Sequence, residues 1–141
     1  MREFLNGFKN AFVGLRTVFS EELNFKVEFV IALIVLFVSI KLKLKFDEML
    51  WISLAIFLVL FSEILNSIIE YMMDSLGIRD TDVKKIKDVS AGLVLLTSLF
   101  TTVIGVAILG KRIFNWSGMV GFILYILYVV VFLFFSFSKL R

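Results

Sequence analysis

The sequence predicts an all-α integral membrane protein: an N-terminal amphipathic interfacial helix, three core transmembrane helices and an extra C-terminal fourth span. Three observations carry that expectation. Of the 141 residues, 60% are hydrophobic and 19% charged, against about 45–50% and about 25% in ordinary soluble domains. There are 17 Phe and no Pro, and the mean hydropathy is +1.01. Apolar stretches of spanning length recur along the chain, separated by short charged segments. The absence of Cys and His excludes disulfides, thiolate or imidazole metal sites, cysteine nucleophiles and Ser-His triads. Any chemistry therefore rests on carboxylates, Lys/Arg, amides, hydroxyls and a hard cation. The net charge of +3 is dispersed among apolar segments, which points to anionic lipid headgroups and not to nucleic acid.

The first element, Met1 to Ser20, lacks the unbroken apolar core and small-residue cleavage site of a signal peptide. At the helical period Phe4, Leu5, Phe8, Phe12, Leu15 and Phe19 fall within an arc of about 100°, with Arg2, Glu3, Asn6, Lys9 and Arg16 mostly elsewhere. That is the pattern of a helix lying in the membrane interface. Val27 to Ile40, apolar apart from Glu28 and Ser39, is the first span. It closes at Lys41-Leu-Lys43-Leu-Lys45-Phe-Asp47-Glu48, read as a headgroup-level turn with snorkelling lysines. The second span starts with the uncharged Met49 to Ser62 and keeps its helical pattern through Glu63, Asn66, Glu70 and Asp74. Residues 76–87 form a polar, charged loop, with Gly77 as the helix stop. Val89 to Gly110 is the third span, closed by Lys111 and Arg112. Met119 to Ser138 is the fourth, with Trp116 at its start.

Placing the amino terminus, the 75–88 loop and the carboxyl terminus in the cytoplasm puts ten Lys/Arg inside and five outside. The positive-inside rule thus favours a cytoplasmic amino terminus, although Lys41, Lys43 and Lys45 oppose it.

The end of the second span is the informative feature. Glu63, Asn66, Glu70 and Asp74 fall within an arc of about 80°, so three carboxylates and an amide form one stripe. A charge deep in a bilayer costs at least about 2.5–3.5 kcal/mol, so such a stripe indicates function. A structural ion-pair network is the competing account, with Lys87 the obvious cation. Glu63 and Glu70 lie about 10 Å apart along the axis, which leaves room for a phosphoryl group between a metal and an acceptor alcohol. Crowded carboxylates repel, and a magnesium ion relieves that by taking one or two of them together with phosphate and water oxygens. A carboxylate further along the face can act as general base toward a hydroxyl. A second acidic group, Glu21-Glu22-Leu-Asn24-Phe25-Lys26-Val27-Glu28, precedes the first span, and Glu22 or Glu28 can complete a metal site if the cytoplasmic ends meet. Lys87-Asp88 is the third element, for which a helix cap by Asp88 is the simpler account. Gly105 to Arg112 imitates a P-loop, but Arg112 replaces the hydroxyl residue and the stretch reads as continuous apolar helix. Asn115-Trp-Ser117 fits a glycosylation sequon but is better read as an interfacial turn with a helix cap.

Glu63-x-x-Asn66-Ser67-x-x-Glu70-x-x-x-Asp74, followed by Lys87-Asp88 and Ser90-Ala91-Gly92, closely resembles the prokaryotic diacylglycerol kinase family, which includes undecaprenol kinases. Gly14 and Glu22-x-Asn24-Phe25-Lys26-x-Glu28 fit as well. The resemblance covers about residues 1–112 as a kinase-like membrane domain and leaves 113–141 as an additional transmembrane helix, one that must pack outside a trimer core. It implies a homotrimer in the cytoplasmic membrane that transfers the γ-phosphate of ATP to a lipid alcohol. By that resemblance Glu63 is the base, and Glu22 and Glu70 hold Mg2+. Asn66, Asp74, Lys87 and Asp88 contact the nucleotide, and Lys26, Glu28 and Ser67 face the lipid. Glu3 stands where the family usually has Arg, and the loop Ile78 to Ile86 lacks its usual Tyr-His pair. Asn24 and Ala91-Gly92 favour undecaprenol as substrate, with diacylglycerol a close second on the strength of Glu28. A small proton- or cation-coupled transporter is the alternative from another class. It requires a carboxylate near the midplane accessible from both sides.

Overall fold

The structure, a computed structural model, describes residues 1–77 and 80–138. Arg79, Lys139 and Arg141, which enter the orientation count, and Ile78 of the polar loop lie outside the described residues. Five helices follow one another: α1 (Arg2–Glu21), α2 (Leu23–Lys41), α3 (Phe46–Ser75), α4 (Thr81–Phe114) and α5 (Gly118–Ser138). Three of them, α2, α3 and α4, are long and apolar enough to cross a membrane, and α5 is a shorter apolar helix over Gly118–Phe134. The protein is a multi-pass membrane protein of the all-α class.

Helix α1 leans on α2 alone among its main contacts, and its aromatic residues Phe4, Phe8, Phe12 and Phe19 are exposed. An amphipathic helix of this kind uncovers its apolar face because acyl chains, not protein, receive it. The elbow to α2 is a single extended residue, Glu22 (φ −89°, ψ 114°). Its N–H donates to the Val18 carbonyl at 2.9 Å, and Lys26 Nζ donates to the Ser20 carbonyl at 2.7 Å. Phe19 meets Phe25 and Phe29 edge-on, at 6.2 and 5.5 Å between ring centroids. Backbone, lysine and aromatic contacts together fix the angle at which Glu22 is presented.

A four-residue turn, with Lys43 in the left-handed region (φ 50°), returns the chain into α3. Thirty residues make a helix of about 45 Å, against a hydrocarbon core of about 30 Å. Because α3 begins at the charged turn, Glu63 lies about 26 Å along it and Asp74 about 42 Å. The first is just inside the apolar slab and the second beyond it. Leu76 and Gly77 (φ 63°) terminate α3, as the glycine predicts.

Helix α4 starts earlier than the sequence pattern suggests. Asp80 caps it, accepting from the Thr81 N–H at 2.5 Å and the Thr81 hydroxyl at 3.1 Å, so residues 81–88 are helix and not loop. Asp88 is therefore inside α4 and caps nothing. The physical reason is that two apolar residues in eight, Val83 and Ile86, do not mark a helix at the membrane surface, whereas a capped turn extending a hydrophobic helix costs little.

The main packing is α3 on α4, α2 on α3 and α5 on α4. Between α2 and α4, over α3, lies a cavity of about 410 Å³ whose lining includes Glu28, Ala32, Ile52, Ala55, Thr101 and Gly105. Helix α5 folds back along α4 through small residues. Trp116 covers Gly110, and a side-chain carbon placed on Gly121 would sit 2.9 Å from Ala107 Cα. This close approach is the means by which membrane helices associate without a hydrophobic driving force. Gly121→Leu is expected to lower stability by about 1–3 kcal/mol by forcing α5 away from α4. Thermal unfolding in detergent measures this, and an unchanged midpoint would contradict the α4–α5 contact.

Candidate functional site

The site lies at the end of the bundle where α2 begins, α3 leaves the apolar slab and α4 enters it. Glu63, Asn66 and Ser67 are buried on α3, Glu63 being only 2% exposed. The one-faced stripe predicted from the 3.6-residue period is thus turned into protein. The Glu22 and Glu70 carboxylates and the Asn24 amide lie close enough to the Glu63 carboxylate to act on it electrostatically. Glu28 faces Glu63 from α2. The Glu22 elbow therefore brings the first acidic group onto the second, as the sequence required for a composite site.

A short relay fixes the neighbouring carboxylate. Ser90 of α4, itself buried, donates its hydroxyl to Asn66 Oδ1 at 2.6 Å. Asn66 Nδ2 in turn donates to Glu70 Oε1 at 3.0 Å. An amide between a hydroxyl donor and a carboxylate has one orientation that satisfies both, so Asn66 sets the Glu70 rotamer. The Ser67 hydroxyl donates to the Glu63 backbone carbonyl at 3.0 Å and is spent within α3. Lys87 pairs with Asp74, joining α3 to α4 where both have left the apolar slab.

Lys26 is engaged with the Ser20 carbonyl, and Asp88 is exposed, its side chain making no hydrogen bond or ion pair among the described residues. Two residues without a predicted role are present, Ser90 and Tyr71, whose buried hydroxyl lies beside Glu21 and Glu22; Asn24, read from the sequence only as a marker of the lipid substrate, stands beside Glu63. Ser90 lies three residues after Lys87, on the same face of α4, and that spacing is the signal that could have found it.

Glu22 and Glu70, beside Glu63, offer oxygen-only hard donors, which suit magnesium and not a soft metal. No group of three or more carboxylates among the described residues is arranged to hold a metal ion by itself. An ion held by two carboxylates needs further oxygens from a ligand, which is magnesium's usual mode with phosphates. The arrangement supplies a buried carboxylate at the apolar boundary, two more beside it and a lysine at the aqueous rim.

The sequence profile of the family described as prokaryotic diacylglycerol kinase matches residues 9–109. The matched stretch ends inside α4 and leaves α5 outside it. No curated protein and no solved structure matches the chain.

Two substitutions separate architecture from chemistry. Ser90→Ala leaves Asn66 Oδ1 buried without its donor and is expected to cost about 1–3 kcal/mol of stability. Lys87→Gln removes a pair whose side chains are 32% and 68% exposed, and is expected to cost less than about 1 kcal/mol. Unfolding midpoints of the two variants in the same detergent check the order. The reverse order would contradict the buried relay.

Proposed function

The chain belongs to the prokaryotic diacylglycerol kinase family, a family of membrane lipid kinases, and from that membership we propose that it phosphorylates a lipid alcohol with ATP at the Glu63 site. The observation that carries this reading is the position of Glu63. It is a buried carboxylate at the edge of the hydrocarbon, where a lipid hydroxyl lies at the depth of the membrane surface and a nucleotide arrives from water. Glu63 takes the proton of the lipid hydroxyl. The hydroxyl oxygen forms a bond to the γ-phosphorus, the bond from that phosphorus to the β–γ bridging oxygen breaks, and ADP leaves.

Glu22 and Glu70 are the residues to hold Mg2+, which when bound neutralises phosphate charge. Asn66, Asp74, Lys87 and Asp88 line the nucleotide side, with Lys87 exchanging Asp74 for phosphate. Glu28, Ser67 and Lys26 are on the lipid side. The cavity between α2 and α4, with Glu28 in its wall nearest the site, offers an apolar slot for the lipid tail. Asn24 beside Glu63 and the Ala91-Gly92 pair favour undecaprenol over diacylglycerol. Residues 1–112 form the kinase unit, which assembles as a homotrimer in the cytoplasmic membrane with its amino terminus in the cytoplasm; α5 lies outside that unit. Coupled transport fits less well, because the carboxylates gather at one end of the bundle and not at a midplane open to both sides.

Purified protein with labelled ATP, Mg2+ and each lipid alcohol in detergent is expected to form a lipid phosphate, faster with undecaprenol. If neither alcohol is phosphorylated by folded protein, the proposal fails. Glu63→Gln is expected to reduce transfer by about 10²–10⁴-fold while nucleotide binding persists. Equal loss of both would contradict its role as base.

A further inference from the structure

The opposite end of the bundle carries a second constellation that the Glu63 site does not use. Lys45, at the start of α3, meets Lys111, Arg112 and Asn115 at the end of α4, and with Glu48 they line a cavity of about 230 Å³. Of the three cations only Arg112 is in an ion pair with a carboxylate, while Lys111 acts on the same Glu48 at longer range. Glu48 Oε2 accepts from Arg112 Nη2 at 2.6 Å and Nε at 3.1 Å, and from the Lys45 backbone N–H at 2.8 Å. This part-buried fork ties the α2–α3 turn to α4 and accounts for Arg112 and Glu48 structurally. It does not account for Lys45 and Lys111, which are exposed and whose ammonium groups make no hydrogen bond or ion pair among the described residues. Snorkelling explains isolated lysines such as Lys41 and Lys43. It does not explain two like charges from different helices held around one concavity with a net lining charge of +2.

We propose that this concavity binds the phosphate of an anionic phospholipid headgroup. The lining supplies two exposed ammonium groups and a guanidinium already oriented by Glu48, the donor set that recognises phosphate oxygens. Asn115, turned out of α4 at φ 54°, adds a carboxamide for a headgroup hydroxyl. A lipid is favoured over a soluble anion by what flanks the cavity. Phe46, next to Lys45, and Phe114, next to Asn115, are 77% and 69% exposed, so the cations sit at headgroup depth with aromatic faces available to glycerol and acyl chains. Basic pockets between membrane helices bind anionic headgroups by this combination. The inference is independent of the phosphotransfer reading, since it shares no residue with that site.

The full chain in nanodiscs of phosphatidylcholine, doped with phosphatidylglycerol, tests it by lipid retention in native mass spectrometry and by thermal shift. Wild-type protein is expected to retain phosphatidylglycerol preferentially. Lys45→Gln/Lys111→Gln is expected to weaken that binding about thirty-fold, and each single variant about fivefold. Lys41→Gln/Lys43→Gln, which removes equal charge outside the cavity, is expected to leave it within about twofold. Absence of headgroup preference in wild type overturns the proposal, as does an equal loss in the Lys41/Lys43 variant, which would reveal unspecific surface charge. Displacement of phosphatidylglycerol by millimolar inorganic phosphate would overturn the lipid assignment in favour of a free-phosphate site. Should the double variant fail to fold in phosphatidylcholine, the two single variants decide.

Discussion

A buried carboxylate at the edge of the hydrocarbon is the constraint to which the rest of the architecture answers. Glu63 cannot sit among apolar side chains without polar company, because an isolated charge in a low-dielectric surround is expensive. Its company comes from three helices. Asn24, Glu22 and Glu28 approach from the elbow and first turns of α2, Asn66 and Glu70 from α3 itself, and Ser90 from α4 through the Asn66 amide. The single extended residue between α1 and α2, the early capped start of α4 and the length of α3 beyond the apolar slab all serve to bring these groups to one place. Three carboxylates so close repel one another, and that repulsion is the electrostatic cost the surrounding amide and hydroxyl groups have to offset.

The membrane explains what would otherwise be a poor core. Few apolar side chains are fully buried, and those of α1, α2 and α4 are widely exposed. In water such a surface would be an aggregation hazard; in a bilayer it is the solvated face. Helix packing then has to rely on close contact and polar links. The small-residue seam between α4 and α5 is one example, and the cavity left between α2 and α4 marks where that packing stops.

The two ends of the bundle differ in kind. One gathers acids around a buried glutamate, with Lys87 and Asp74 closing it toward water. The other gathers cations around a cavity whose lining holds one carboxylate, Glu48. The charge distribution along the bundle is therefore dipolar, with an acidic end and a basic end.

Composition and period determined the class, the order of helices and the one-faced stripe of Glu63, Asn66, Glu70 and Asp74, because hydrophobicity and the 3.6-residue repeat are local properties. The stop at Gly77 was legible for the same reason. The start of α4 at Thr81 was not, since a polar helical turn and a polar loop have the same composition. Nor were the partners across helices. That Lys87, the cation expected for the stripe, takes Asp74 in particular, that Ser90 orients Glu70 through Asn66, that Lys26 is occupied by the end of α1, and that Arg112 reaches Glu48 across 64 residues of chain were decided by the tertiary structure. Such contacts depend on the angles at which helices meet, and those angles are set by side chains far apart in the sequence, so no local pattern encodes them.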